Sequence, residues 1–193
     1  MPCPLKNRIR TSLCPPPSKS HTMRAILFAS LAQGKSEINN YLTSPDTDGM
    51  IQAMEHFGAK IEVFSHQLLV EGINFNFHPP KNVIDVGNSG LALRLTAAVG
   101  ALIPFYTIIT GDHSIRYLRP MKPLLSAFEQ LGACALSQRL DGFAPIIIKG
   151  PILGGHVTID GALSQPVSAL IIASCFAKEQ IEITVKNPGE KPF

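Results

Sequence analysis

The chain has 193 residues, 45% of them hydrophobic, which is enough for one globular domain with a sizeable core. Its 17 Lys and Arg residues against 14 Asp and Glu residues give a net charge of +3, which excludes a general nucleic-acid surface but suits a small anionic ligand. The four cysteines form no CxxC pair and no apolar run reaches membrane-spanning length, so we expect a cytoplasmic protein without membrane contact, structural zinc or disulfides.

The first 17 residues are rich in proline and contain one weak strand candidate, Arg8–Leu13. Three consecutive prolines, 15–17, cannot lie in the interior of a helix. We therefore predict a lead-in segment over residues 1–17 and a domain over residues 18–193.

An amphipathic helix is predicted from Ser20 to about Ala32, with Ser18 or Ser20 as its N-cap. Lys19 lies beside the free N–H groups of the first turn, and Arg24 follows one turn later. This arrangement predicts an anion site that suits phosphate best. The alternative interpretation is that both cations are solvated side chains of an ordinary surface helix.

The next elements complete a first unit. Gly34 is predicted to stop the helix, and Ser36–Tyr41 is predicted to form a strand. A second helix opens at residues 44–48 and ends at Gly58. Residues 60–64 and 67–70 then have the pattern of a hairpin.

The same order of elements returns from residue 83 onward. We predict a strand at 83–86, a helix from 87–90 to about 102, a strand at 106–110 and a helix at 121–131. Residues 53–59 resemble residues 127–133 at an offset of 74, and Arg24 matches Arg94 at an offset of 70. Such internal similarity indicates a repeated supersecondary unit.

A third, shorter unit follows, with a strand at 157–159, a helix from 163 to about 177 and a strand at 181–185. We therefore predict an α/β fold of repeated βαβαββ units in quasi-threefold packing, with helices inside, sheets outside and an incomplete third unit. This packing would bring three helix starts to one end of the domain: Lys19-Ser20, Asn88-Ser89-Gly90 and Ser164-Gln165.

Residues 111–120 are predicted to form a polar connection between a strand and a helix. Arg119 could bind a carboxylate or phosphate there, although loop arginines are usually solvated. Asp112 and His113 could form an acid–base pair, but a surface pair is the more common arrangement. No histidine spacing indicates a metal site.

Four motifs, taken in order, resemble the 5-enolpyruvylshikimate-3-phosphate synthase family over about residues 8–190. They are Pro17-Ser18-Lys19-Ser20 with Arg24, 87–90 with Arg94, 111–121 and Ser164-Gln165. The resemblance implies an inside-out α/β barrel of the enolpyruvyl transferase type. It also implies transfer of the enolpyruvyl group from phosphoenolpyruvate to the 5-hydroxyl of shikimate 3-phosphate with release of phosphate, in aromatic amino-acid biosynthesis. No metal or organic cofactor is implied.

The same resemblance implies roles for seven residues, with Lys19 as the catalytic one. Shikimate 3-phosphate would be held by Lys19, Ser20, Arg24, Ser164 and Gln165. Phosphoenolpyruvate would be held by Lys19, Gly90, Arg119 and Gln165. A side chain at Gly90 would crowd phosphoenolpyruvate, as it would crowd the inhibitor glyphosate.

Three positions depart from the family pattern. Leu163 stands where a phosphate-binding serine is usual, and Glu190 and Phe193 replace a serine or arginine and a tyrosine. Family members also have a second, similar domain that closes over the first and supplies groups for proton transfer. We therefore expect an N-terminal portion that is inactive alone, binds shikimate 3-phosphate weakly at most, and is monomeric when full length. Residues 1 to about 15 should be poorly ordered or packed non-natively.

Two rival functions are a UDP-N-acetylglucosamine enolpyruvyl transferase and a non-catalytic anion-binding module. The first family typically has an asparagine after the leading lysine and a reactive cysteine in the loop that corresponds to 111–120. Here Ser20 follows Lys19, and residues 111–120 contain no cysteine.

Overall fold

The computed structural model describes residue 12 and residues 15–189. The helices are α1 (Lys19–Leu31), α2 (Pro45–His56), α3 (Gly90–Gly100), α4 (His113–Tyr117), α5 (Lys122–Gln130) and α6 (Ser164–Ser174). The strands are β1 (Gln33–Asn39), β2 (Lys60–Val63), β3 (Gln67–Ile73), β4 (Ile84–Asp85), β5 (Thr107–Thr110), β6 (Cys134–Ser137), β7 (Ile146–Lys149), β8 (Gly155–Asp160) and β9 (Ile181–Lys186). Three predictions lie outside the described residues. They are the strand at 8–13, of which only residue 12 is described, the order of the segment before residue 15, and the departures at Glu190 and Phe193.

Three sheets show the predicted repeat directly. In the first sheet β3 lies between β1 and β2 and is antiparallel to both, and in the second sheet β7 lies in the same way between β5 and β6. The second sheet also pairs β4 parallel to β5, and the third sheet pairs β8 parallel to β9. The third unit therefore reproduces the opening strand, helix and strand of the second.

The helices pack at the centre of the molecule and bury their apolar residues there, most completely in α3. In α3 every residue from Leu91 to Gly100 is buried, and the helix contacts α1, α2 and α6. The strands alternate instead: Leu68 and Val70 are buried, whereas Leu69 between them is 38% exposed. The predicted arrangement of helices inside and sheets outside is confirmed. None of the described helices combines the length and apolar character needed to cross a bilayer.

The first strand begins earlier than predicted. β1 starts at Gln33 rather than Ser36, and Gly34, predicted to stop α1, lies within the strand at φ +86°. The helix ends at Leu31 instead, where the N–H of Ala32 donates to the carbonyl of Phe28. Pairing of Gln33 with Ile73 lengthens the ladder between β1 and β3, so tertiary pairing outweighs the local stop signal.

The connection predicted at 111–120 contains the short helix α4. The Asp112 carboxylate caps it by accepting a hydrogen bond from the N–H of Ile115 at 3.0 Å. The ring of His113 packs on Tyr117, which agrees with a surface role for the Asp112-His113 pair. Arg139 lies over the Tyr117 ring and fastens α4 to the connection between β6 and β7.

Candidate functional site

A polar cavity of about 340 Å³ opens where the amino ends of α1, α2, α3 and α6 meet. The cavity is lined by Lys19, Ser20, Asp46, Asn88, Gly90, Leu91, Ser114, Arg119 and Gln165. The predicted meeting of three helix starts is thus confirmed, and α2 adds a fourth. Because each amino end carries roughly half a positive charge, the cavity favours an anion.

Serine side chains explain why most of these helices begin at this rim. Ser18 caps α1 by accepting from the N–H of His21, and Ser89 caps α3 by accepting from the N–H of Ala92 at 3.2 Å. Leu163 occupies the cap position of α6 and provides no side-chain acceptor. The first N–H groups of α6 therefore begin at the cavity without the cap that the other helices have.

Two cations and one carboxylate set the charge of the cavity. Lys19 Nζ lies 3.3 Å from Asp46 Oδ2, with the lysine side chain 50% exposed. Arg119 is exposed and also lines the cavity. A half-exposed ion pair contributes little to stability, so an incoming anion can compete with Asp46 for Lys19.

The structure brings together five of the seven residues predicted for the site. Lys19, Ser20, Gly90, Arg119 and Gln165 all line the cavity. Arg24 and Ser164 do not. Arg24 lies one turn into α1 and donates to the Ser20 carbonyl at 3.2 Å, and Ser164 is the half-buried first residue of α6, beside Gln165.

Gly90 has a clear steric reason to lack a side chain. A Cβ atom built there would lie 2.9 Å from Arg94 Nη1 and 3.4 Å from Arg119 Cδ. Any larger residue would push against both arginines. The predicted need for space at Gly90 therefore has a basis in the protein itself, before any ligand is considered.

Arg94 lies directly beneath the cavity and was not predicted as a site residue. It is only 3% exposed, and burial, with a smaller contribution from the charge of Arg119, lowers its pKa to about 10. The sequence feature that could have pointed to Arg94 is its correspondence with Arg24 in the first repeat. Asp46 and Ser114, also missed, lie in segments that correspond to each other in the repeat.

A larger cavity of about 460 Å³ lies at the carboxyl end of α2 and is lined by Gln52, Glu55, His56, Gly58, His78, Pro79 and Lys81. Helix carboxyl ends carry partial negative charge, so this cavity is less suited to an anion. Burial raises the pKa of Glu55 there. No group of three or more His, Cys, Asp or Glu residues in the described ranges is placed to hold a metal ion.

Comparison with known proteins identifies the family. A sequence profile described as EPSP synthase (3-phosphoshikimate 1-carboxyvinyltransferase) matches residues 5–192 of this chain. The chain belongs to the EPSP synthase family. The resemblance drawn from the motifs is therefore confirmed, in preference to the UDP-N-acetylglucosamine enolpyruvyl transferase family.

Relatives of this family are similar along most of the chain. The 3-phosphoshikimate 1-carboxyvinyltransferase of Chlamydia muridarum is 44% identical over 184 residues, which cover 92% of this chain and 40% of that protein. The protein of the same name from Acetivibrio thermocellus is 43% identical over 178 residues and 42% of its length. The chain thus spans about two fifths of the length of these relatives.

The fold agrees with solved structures of the family. A structure of EPSP synthase from Acinetobacter baumannii superimposes with a TM-score of 0.82 at 25% sequence identity. The superposition covers 91% of this chain and 40% of the solved one. The part of this chain that superimposes therefore has the EPSP synthase fold.

Proposed function

We propose that the chain is the N-terminal portion of a 3-phosphoshikimate 1-carboxyvinyltransferase of aromatic amino-acid biosynthesis. The whole protein transfers the enolpyruvyl group of phosphoenolpyruvate to the 5-hydroxyl of shikimate 3-phosphate and releases phosphate. The observation that carries this proposal is the cavity in which Lys19, Arg119 and the amino ends of four helices converge in a member of this family.

The proposed residue roles are those that the family resemblance implies, and the positions of Lys19, Ser20, Gly90, Arg119 and Gln165 around the cavity support them. Shikimate 3-phosphate is held by Lys19, Ser20, Arg24, Ser164 and Gln165, and phosphoenolpyruvate by Lys19, Gly90, Arg119 and Gln165. Lys19 has the catalytic role, because an ammonium between two anionic substrates offsets their repulsion and stabilises charge that develops as phosphate leaves. Substrate binding draws Lys19 away from Asp46.

Catalysis depends on a second domain that closes on the cavity and supplies the acid and base for proton transfer. The chain alone is accordingly inactive and binds shikimate 3-phosphate weakly at most. No cofactor takes part. We place the complete enzyme in the cytoplasm, in line with the cysteine spacing of the sequence. From the family resemblance we expect it to be a monomer.

Calorimetric titration with shikimate 3-phosphate tests the cavity. We expect weak, saturable binding that Lys19→Met reduces at least tenfold, because the substitution removes a full charge from the site. Lys35→Met, which removes an exposed charge from β1, is the matched control and leaves binding unchanged. Equal loss in both variants would mean that only net charge attracts the substrate.

Adding the remaining segment of the Chlamydia muridarum relative tests the reaction. We expect release of phosphate that depends on both substrates only when both pieces are present. If both pieces are folded and no phosphate appears, the chain is a non-catalytic anion-binding module. Phosphate release by the chain alone at ordinary enzyme rates would show that the second domain is dispensable.

A further inference from the structure

A buried arginine joins three walls of the cavity. The Arg94 guanidinium donates to the Gly90 carbonyl at 2.7 Å, to Gln165 Oε1 at 3.0 Å and to the Pro120 carbonyl at 3.0 Å. These acceptors belong to the start of α3, the start of α6 and the segment that carries Arg119. One side chain therefore bridges elements that are 71 residues apart in sequence.

The contact with Gln165 has a consequence for ligand binding. A guanidinium has donors and no acceptor, so only the oxygen of the glutamine amide can face it. The NH2 group of Gln165 is then left on the other side of the amide, and Gln165 lines the cavity. In this orientation Gln165 presents a hydrogen-bond donor, as an anion requires.

The matching arginine of the first repeat differs. Arg24 makes the same contact to the carbonyl four residues before it, but its side chain is partly exposed. Arg94 is only 3% exposed within α3, and the described residues contain no carboxylate within ion-pair distance of it. Its Nε atom also has no hydrogen-bond partner. A buried charge without an ionic partner lowers the stability of the fold. The presence of Arg94 here therefore indicates a functional role.

We infer that Arg94 is a positioning residue, which fixes the amide of Gln165 as a donor to the anionic substrate and holds the Arg119 segment and the start of α6 against α3. The nature of the substrate rests on the proposed function, but the orientation of Gln165 does not. Because no carboxylate of the described residues pairs with the guanidinium, Arg94 also adds positive potential to the cavity.

Nuclear magnetic resonance of the 193-residue chain without substrate tests the orientation. The side-chain NH2 signals of Gln165 are assigned by their absence in Gln165→Glu. In Arg94→Met, we expect them to move to the position of a freely rotating glutamine, with a lower heteronuclear NOE. Val99→Ala, a buried truncation elsewhere in α3, is the control for general loosening and leaves these signals in place. Unchanged signals in Arg94→Met would overturn the inference.

A second variant decides the question even if Arg94→Met does not fold. In Gln165→Glu, Arg94 can donate to a carboxylate, so we expect the pKa of the introduced carboxyl group to lie well below the usual glutamate value. The carboxylate replaces a donor with a negative charge, and binding of shikimate 3-phosphate should fall at least tenfold. An ordinary glutamate pKa for the introduced group would show that Arg94 does not hold the side chain at this position.

Titration of the wild-type chain with shikimate 3-phosphate separates the two proposals. If the substrate does not bind and no phosphate is released when the second piece is present, while the Gln165 signals respond to Arg94→Met, the positioning inference stands and the proposed function fails. If the substrate binds and Arg94→Met neither shifts the Gln165 signals nor weakens binding, the function stands and the inference fails.

Discussion

Asp46 shows how a single carboxylate can tune a site built for anions. Its Oδ2 atom lies 3.3 Å from Lys19 Nζ, and its side chain is 20% exposed. A charge of this kind keeps the lysine in place but opposes the ligand that the cavity attracts.

We expect Asp46→Asn to raise the affinity for phosphoenolpyruvate several-fold, because the change removes a negative charge from the cavity. The gain should shrink as salt is added, since the cavity is open to solvent. Titrations at two ionic strengths measure both effects. Asp48→Asn, in the same first turn of α2 but outside the cavity, controls for the lost helix-dipole interaction. Weaker binding in Asp46→Asn would mean that Asp46 itself contacts the substrate.

Gly90→Ala tests the steric argument at the same scale. The new Cβ atom would meet Arg94 Nη1 at 2.9 Å, so we expect a loss of about 1–3 kcal/mol in the free energy of unfolding. Urea denaturation measures it. In an Arg94→Met background the cost should fall by more than half, because the clashing atom is gone. An equal cost in both backgrounds would place the strain elsewhere.

At the scale of elements, the four helices that meet at the cavity differ in how they begin. α1, α2 and α3 have side-chain caps, whereas Leu163 leaves α6 without one. The backbone of Leu163, at φ −118° and ψ 129°, is extended, as a cap residue requires.

We therefore expect Leu163→Ser to be more stable than Leu163→Ala by about 1 kcal/mol, since only serine supplies an acceptor to the first turn of α6. Thermal unfolding compares the two variants. The alanine variant accounts for loss of the leucine side chain, which is 48% exposed. Equal stability would show that the first turn of α6 already has other acceptors.

The hairpin that supports α4 predicts a pH dependence. Asp141 accepts hydrogen bonds from the Phe143 N–H, the Ser137 hydroxyl and Arg139 Nε, and these interactions, led by the Phe143 N–H, lower its pKa to about 2. Its unfolded pKa is about 3.9, so the stabilisation is complete above that value and is lost as the pH falls towards 2.

We expect Asp141→Asn to be less stable than the wild type near neutral pH and to lose less further stability between about pH 4 and pH 2. Urea denaturation across this range, with Asp160→Asn as a second exposed-carboxylate variant, measures the difference. Parallel pH profiles for the wild type and Asp141→Asn would contradict the proposed linkage.

At the scale of the whole molecule, the three units share one core. α3 belongs to the second unit, yet it packs against α1 and α2 of the first and α6 of the third. The cavity is formed by residues from all three units. Unfolding of any one of the three units should therefore disturb the cavity.

Leu95→Ala, at a fully buried position of α3, is expected to lower the free energy of unfolding by about 2–5 kcal/mol. Helical circular dichroism and tyrosine fluorescence should still report one coincident transition, because the buried residues of the described part of the three units form one core. Val63→Ala, which truncates a side chain that is 55% exposed on β2, serves as the control. Two separate transitions would show that the units unfold independently.

The sequence alone determined the repeat, the family and most of the order of elements, because helix periodicity, caps and motif order are local properties. It gave no positions for α4, β6 and β7. Five residues that the sequence motifs proposed for the site line one cavity in the structure: Lys19, Ser20, Gly90, Arg119 and Gln165. The division at residue 17 and the residue roles remain predictions.

Only the tertiary structure decided which of these residues share a cavity and which groups oppose or support them. The pairing of Lys19 with Asp46 and the bridge from Arg94 to Gln165 join positions 27 and 71 residues apart. The early start of β1 depends on its ladder with β3. Such contacts arise from packing between distant segments, and no local pattern in the sequence encodes the distance between two side chains.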